Sequence, residues 1–389
     1  MRIGRLTLAG FRSYEALEVE FGDGPQLIVG PNAAGKTNLL EALGVLGSGH
    51  SHRTSSDSEL IGWGADFARL EVSLKQARDS GSGVNGDRPP EPLDGLEVLI
   101  ARTGESARKR IRINGVPRRA AALAAALRVV TFAPEEMLLV TGSPSLRRSA
   151  LDTFVVQRAP ILGSVMATYG RGLQQRNGLL RAVREGLSHR EELGYWNGVL
   201  IEEGGRIVAA RLEALAALAD PLAAAHAEMA PAEERLGIRY VTNSPAHDGE
   251  DPRDALRRRL ADTAEKEIWN GATLVGPHRD DMAFEMAGRD LAEFASRGQQ
   301  RTAILALKLA QLDLFTALDG RAPLLLLDDV FSELDAQRRA HLVRRIDDLP
   351  QSFVTTTTLD DLDPALVAAS TSWQVSPGRL DALGRVTHP

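Results

Sequence analysis

The spacing Gly30-Pro31-Asn32-Ala33-Ala34-Gly35-Lys36-Thr37 satisfies G-x-x-x-x-G-K-[ST], a loop that wraps phosphate groups. Glycine lets the backbone curl until successive N–H groups point inward, and a following helix adds its partial positive end. Lys36 would reach the β- and γ-phosphates of a nucleotide, and the Thr37 hydroxyl would ligate Mg²⁺. A chance match in an inert turn is the competing reading. The setting argues against it. The apolar run Gln26-Leu27-Ile28-Val29 precedes the loop and the helical run 38–43 follows it, which is the strand–loop–helix context the chemistry needs.

A second set of chemical residues lies late in the chain. Pro323 through Leu327 is a continuous apolar run that ends in Asp328 and Asp329. Unbroken apolar character suits a strand buried on both faces of a parallel sheet, whose C-terminal edge is where ligands bind. Asp328 would then hold Mg²⁺ through water, and Asp329 would orient or deprotonate an attacking water. An inert capped strand end is the bland alternative. Ser296-Arg297-Gly298-Gln299-Gln300 precedes a helix expected at 301–314. Ser296 is a natural N-cap, and a hydroxyl beside free N–H groups is also an anion site. Ser332-Glu333-Leu334-Asp335 follows the acids directly.

These residues must be positioned by a sizeable scaffold. At 389 residues the chain can form two domains or lobes. Strands are expected at 3–8, 17–21 and 26–29 before the loop, and at 68–74 after it. Residues 77–95, rich in Gly, Pro, Ser and Asp, read as a surface loop. A hairpin follows, 96–102 and 108–113, and its alternation puts Arg108, Arg110 and Arg112 on one face. That face is either a DNA contact or a solvated sheet surface. A helix at 120–127 and a strand at 129–132 come next, and from 134 to 260 the long Ala/Leu-rich periodicity predicts an all-helical insertion. It never sustains the heptads of a long coiled coil.

Composition narrows the class. Without cysteine, disulfides and thiolate chemistry are excluded. No apolar run reaches membrane-spanning length, and the N-terminus reads as a strand rather than a signal peptide, so a cytoplasmic protein is expected. The net charge of −6 settles nothing about nucleic acid, because binding needs only a basic face.

The motif order resembles the ATPase heads of the ATP-binding-cassette superfamily: phosphate loop, helical insertion, S-x-G-Q, acidic strand, S-x-L-D. Within it the chain is similar to the RecF family, related to the heads of Rad50 and SMC proteins. The likeness is carried by residues 8–14, by 132–136 with 142–148, by Gly276-Pro277-His278-Arg279-Asp280-Asp281, and by 328–335. It implies an α/β ABC-type P-loop ATPase head with an inserted helical second lobe and no long coiled coil. Lobe I would comprise 1–133 and 262–389, and lobe II 134–261.

The resemblance also implies a homodimer formed on ATP with Mg²⁺. Ser296, Gly298 and Gln299 of one chain would close on the γ-phosphate held by Lys36 of the other, with Asp335 at the interface. Arg12 would stand near the phosphates. Implied too are binding to double-stranded, gapped or single-stranded DNA, cooperation with RecO and RecR to load RecA, and a place in recombinational repair within the SOS response to DNA damage.

Three departures from transporter-type cassettes stand out. Pro134-Glu135-Glu136 replaces a glutamine, Thr355 to Thr358 replace a switch histidine, and Asp329 replaces glutamate. Each weakens water positioning, so slow turnover is expected. A transporter ATPase subunit is the alternative, and the missing glutamine and histidine count against it. A small-molecule kinase would leave Ser296 to Gln300 and Ser332 to Asp335 without a role.

Overall fold

The computed structural model describes residues 2–54, 56–75, 95–104 and 106–384. They divide into two compact units, Met1–Glu136 with Lys308–Pro389, and Met137–Leu307.

In the first unit the chain opens with β1 (Arg2–Phe11), β2 (Tyr14–Glu20) and β3 (Gly24–Val29), then α1 (Lys36–Ser48). Next come β4 (Phe67–Lys75), the hairpin β5 (Gly95–Thr103) and β6 (Ser106–Ile113), and β7 (Val116–Arg118). Helix α2 (Ala121–Ala126) and β8 (Val129–Phe132) complete this half.

The chain then builds the second unit from α3 (Leu138–Thr141), α4 (Pro144–Arg158), α5 (Leu162–Arg184) and α6 (Leu193–Met229). Strand β9 (Leu236–Val241), α7 (Pro252–Asn270), β10 (Asp281–Met286), β11 (Arg289–Asp290) and α8 (Leu291–Phe294) follow. Helix α9 (Arg297–Asp319) leads back to the first unit, which ends with β12 (Leu324–Asp328), α10 (Ala336–Asp347), β13 (Gln351–Thr356), α11 (Pro364–Ala369), β14 (Thr371–Ser376) and β15 (Arg379–Gly384).

Two six-stranded sheets organise the first unit. One is antiparallel, β2-β1-β4-β5-β6-β7; the other runs β15-β14-β3-β13-β12-β8, parallel except for β15. Alternation sorts the first. In β4, Ala68, Leu70, Val72 and Leu74 are buried while the residues between them face outward, as an antiparallel sheet with one wet face requires. Strands β12 and β13 have no such alternation and are buried throughout. Helix α1 packs against strands of both sheets, with Leu39, Leu40, Leu43 and Leu46 in one shared core. Gln351 ties the sheets together: its amide accepts from the Ile3 N–H (2.8 Å) and donates to the Ile3 carbonyl (3.0 Å). A buried amide that repeats the backbone pattern avoids the cost of an unpaired polar group.

The second unit differs from the expected all-helical insertion. Strands β11-β10-β9 form a small sheet in which β9 pairs antiparallel with β10. Strand β9 is an edge, only partly buried and weakened by Gly237, so its apolar alternation is faint. Its pairing draws residues 262–307 into this unit, whereas the sequence reading places them in lobe I. Helix α9 also starts at Arg297 rather than 301. The loop expected over 77–95 lies outside the described residues as far as 94. Among the described residues no helix is long and apolar enough to cross a membrane.

Candidate functional site

Strand β3 delivers the chain to residues 30–35 at its C-terminal end, with β13 and then β12 beside it in parallel. The Gly30 N–H donates to the Thr356 carbonyl (3.2 Å). A Cβ on Gly30 would lie 2.7 Å from the Val375 carbonyl oxygen, too close for any other residue. Ala33 (φ 65°) and Gly35 (φ 114°) are left-handed, which turns the loop inward. The loop is braced from behind by Tyr14, whose buried hydroxyl donates to the Gly35 carbonyl (3.1 Å). Lys36 is buried, and its ammonium donates to the carbonyls of Gly30 (2.7 Å) and Pro31 (3.0 Å), spanning the loop it belongs to. Thr37 sits in the first turn of α1.

The two acids are joined to each other by one threonine. Asp328 is opposite Thr355 in the β12–β13 register. The Thr355 hydroxyl donates to Asp328 Oδ1 (2.6 Å) and accepts from the Asp329 N–H (2.9 Å). Asp329 is itself left-handed (φ 50°), and its carbonyl accepts from the Ser332 hydroxyl (3.0 Å). Burial pushes the Asp329 carboxyl upward, Asp328 adds to the effect, and Lys36 opposes it. Burial lowers the Lys36 ammonium, against the pull of both acids. A carboxylate raised by burial beside a cation is placed to take a proton from water.

One residue essential to this geometry escaped the sequence reading. Glu41 on α1 is fully buried and receives the Arg12 guanidinium on both oxygens (2.9 and 2.7 Å). The Ser51 hydroxyl donates to it (2.5 Å), as does Arg53 (3.1 Å), which also donates to Asn38 Oδ1 (3.0 Å). Burial pushes the Glu41 carboxyl up, but the Arg12 and Ser51 hydrogen bonds and the two guanidinium charges outweigh it and hold it low. An acid among apolar helix positions was the available signal, since a buried charge requires a partner. Arg12 is therefore anchored to the second turn of α1 through Glu41. Arg53 also reaches Glu135 (3.6 Å), and Glu136 pairs with Lys308.

The remaining expected residues fall in separate places. Ser296 is exposed at the start of α9, where its hydroxyl accepts from the Gln299 N–H (3.3 Å) and the Gln299 side chain accepts from the Ser296 N–H (3.0 Å). That is a capping box, with Gly298 exposed inside it. Asp335 caps α10 by accepting the Arg338 N–H (2.9 Å), a hydrogen bond that lowers its carboxyl. Arg108, Arg110 and Arg112 project outward from β6.

The family model for the RecF/RecN/SMC N terminal domain matches residues 2–371. The DNA replication and repair protein RecF of Bacillus velezensis is 37% identical over 388 residues, covering 98% of this chain and 100% of that one. RecF of Chloroflexus aurantiacus is 39% identical, covering 98% and 100%. This chain belongs to the RecF family. A solved structure of the recombination mediator protein RecF-ATP in the RecFOR pathway superposes with a TM-score of 0.85 at 28% identity, covering 98% of this chain and 97% of that one. An SMC head bound to the C-winged helix domain of ScpA shares the fold alone, with a TM-score of 0.51 and 16% identity over 98% and 97% of the chains. The transporter and kinase readings fall away, and the fold is the expected α/β head without a long coiled coil.

The RecF-like motif at 276–281 has a structural task in the second unit. Asp281 receives Arg147 on both oxygens (2.8 and 2.6 Å), and buried Asp280 accepts from Tyr240 (2.7 Å) and Thr242 (2.8 Å). Arg211 joins Asp152 (2.8 and 3.0 Å) to the Pro277 carbonyl (2.7 Å). His278 Nδ1 lies 2.7 Å from the Tyr169 hydroxyl and its Nε2 3.3 Å from the Thr273 carbonyl, and burial takes its imidazole down to about 4. Gly276 (φ 126°) makes the turn, since a Cβ would meet that hydroxyl at 2.5 Å.

Proposed function

We propose that this chain is an ATP-driven DNA-binding switch of recombinational repair. It dimerises on ATP, holds DNA at gaps or junctions between duplex and single strand, and acts with RecO and RecR in loading RecA. Slow hydrolysis releases it. The observation that carries this reading is the convergence of Lys36, Asp328 and Asp329 on one edge of the parallel sheet, the two acids joined through Thr355 and the lysine in electrostatic reach of both.

Each residue has a role that follows from its setting. The curled N–H groups of 30–35 hold the phosphates, and Lys36 exchanges its loop carbonyls for phosphate oxygens. Thr37 and Asp328 fit Mg²⁺, being a hydroxyl at the helix start and a carboxylate already oriented by Thr355. Held there, Mg²⁺ would supply positive charge against the charge that develops on the phosphates. Asp329 orients water and accepts its proton. Glu41 positions Arg12 at the mouth of the site. Ser296 and Gly298, exposed at a helix start, and the half-buried Gln299 beside them serve the nucleotide of a second copy, with Asp335 at that interface. The cytoplasm is the matching compartment.

Binding to gapped DNA with and without ATP tests the switch, and Lys36→Ala should abolish the ATP-dependent part. Sharing of the site is tested by mixing. Ser296→Arg puts a long cation where the partner's phosphate would dock, so that chain should bind ATP yet fail to dimerise or hydrolyse. Mixed with Lys36→Ala it can build one composite site, and partial recovery of ATPase activity is expected. No recovery in mixed dimers proven by light scattering would return Ser296 to its own helix cap.

A further inference from the structure

In the second unit the helices α5 and α7 end side by side. Each closes on a left-handed glycine, Gly186 (φ 72°) and Gly271 (φ 64°), a conformation that costs glycine little. The two ends are tied together, because Arg184 donates to the Asn270 carbonyl (3.4 Å). A Cβ on Gly271 would come within 2.9 Å of the Arg181 stem and 3.0 Å of the Arg184 guanidinium, so both arginines lie over the end of α7. The short turn Arg190–Glu192 is fastened to α7 as well: Arg190 donates to both Glu265 oxygens (2.5 and 2.7 Å).

These ties hold open a groove of about 750 Å³. Val183, Ile268 and Trp269 give it an apolar lining, and Trp269 is 79% exposed. A single exposed apolar side chain is ordinary. Set in the wall of a braced groove it is a preformed anchor, since tryptophan and arginine lead the residues that carry binding energy at protein interfaces. The charges of the lining are unbalanced. Arg184, Arg190 and Lys266 stand against one acid, Glu265, which Arg190 already occupies. Arg184 has only its exposed sequence neighbour Glu185 (3.5 Å). Lys266 is exposed and has no carboxylate partner among the described residues.

We propose that this groove docks an acidic segment of a partner protein that carries an apolar side chain. The side chain packs against Trp269, Val183 and Ile268, and carboxylates of the segment pair with Lys266 and Arg184 at the rim. The surplus of positive charge selects the partner, because complementary charge steers encounter and rejects the wrong sign. Nucleic acid is the less fitting occupant. A strand needs a run of cations along its phosphates and planes on which its bases stack, whereas this groove has aliphatic walls and a carboxylate among its cations. The site uses no residue of the phosphate loop and stands independently of the proposed function.

The test titrates the full chain, without ATP, with a library of fluorescein-labelled nonapeptides in which leucine or phenylalanine stands among aspartates and glutamates. The same peptides with amides in place of the acids are the reference, and they should bind less tightly. Trp269→Ala should weaken the tightest acidic peptide roughly 30-fold or more, the loss that marks an interface hot spot. Trp63→Ala, at a fully exposed position of the first unit, should leave it unchanged. Lys266→Gln should cost up to about 5-fold, as losing an exposed ion pair does, and that loss should fade at high salt. Because Trp269 is exposed, circular dichroism and ATP affinity of Trp269→Ala should stay as in the parent chain. If no acidic peptide binds the parent more tightly than it binds Trp269→Ala, the site is overturned. Equal affinity for acidic and amide peptides overturns it too. Loss of oligothymidylate binding in Trp269→Ala with peptide binding retained makes the groove a nucleic-acid surface, and a fall in ATP-independent self-association makes it a contact between copies; either result overturns the proposal. None of these outcomes bears on ATP-dependent gap binding, which tests the proposed function separately.

Discussion

In the second unit Arg176 and Glu267, both buried, meet at 2.6 Å, and each side-chain nitrogen and oxygen of the pair is hydrogen-bonded. Arg176 also donates to Asn197 (2.7 Å) and Thr273 (2.8 Å), while the second Glu267 oxygen accepts the Leu274 N–H (2.7 Å). Among the described residues of the first unit the Lys36 ammonium hydrogen-bonds only to the carbonyls of its own loop, and burial raises the Asp329 carboxyl. Backbone strain adds to the contrast at the site itself, where Ala33, Gly35 and Asp329 are left-handed. The contrast separates architecture from chemistry. A matched pair resists displacement, whereas a cation resting on carbonyls can be drawn away by phosphate, and a strained carboxylate is poised for proton transfer. Glu41 stands between the two: matched like the second unit's acids, but placed on the nucleotide helix.

The largest expected effect falls on chemistry. Asp329→Asn should lower ATP turnover about 10²- to 10⁴-fold, as loss of a general base does. Asparagine tolerates the left-handed backbone, so the melting temperature should hold. A variant that loses stability but keeps its turnover per folded molecule would place Asp329 with the architectural acids. Next is the buried pair. Arg176→Met leaves Glu267 unmatched and should cost about 3–5 kcal/mol in urea unfolding, with ATP affinity of the folded protein unchanged. A loss below about 1 kcal/mol would contradict the matched-pair view.

Glu41→Gln tests the intermediate case. It weakens the grip on Arg12 and Arg53, and should cost about 1.5–3 kcal/mol of stability together with a measurable fall in ATP affinity. Stability loss with ATP affinity intact would assign Glu41 to architecture alone.

The smallest effect concerns pH. The His278 imidazole titrates near 4 when folded and near 6.5 when unfolded, so the unfolded chain binds more protons between those values. Its contribution is therefore complete above about 6.5 and is lost as pH falls through the window, by about 2 kcal/mol between pH 7 and 5. His278→Gln should show that much less acid sensitivity in denaturant titrations at the two pH values. An unaltered pH dependence would show that His278 does not fold as a buried, neutral imidazole.

The sequence by itself determined what depends on local spacing. The loop 30–37 between strand and helix, the acids closing an apolar run, and the alternation that turns Arg108, Arg110 and Arg112 outward are short-range patterns enforced by backbone geometry. The β9 strand and the true start of α9 were less legible, because an edge strand is half-buried and a capping box masks where the helix begins. Only tertiary structure decided the rest. Whether Glu41 is a solvated helix acid or the anchor of two arginines depends on residues 29 and 12 positions away along the chain. Thr355 becomes the joint between Asp328 and Asp329 only because β13 lies in register beside β12. Among the described residues Arg112 has a carboxylate partner and Arg108 has none, because Glu97 stands opposite one and Ala101 opposite the other. Charge matching is a property of neighbours in space, and residue order alone does not say which neighbours those are.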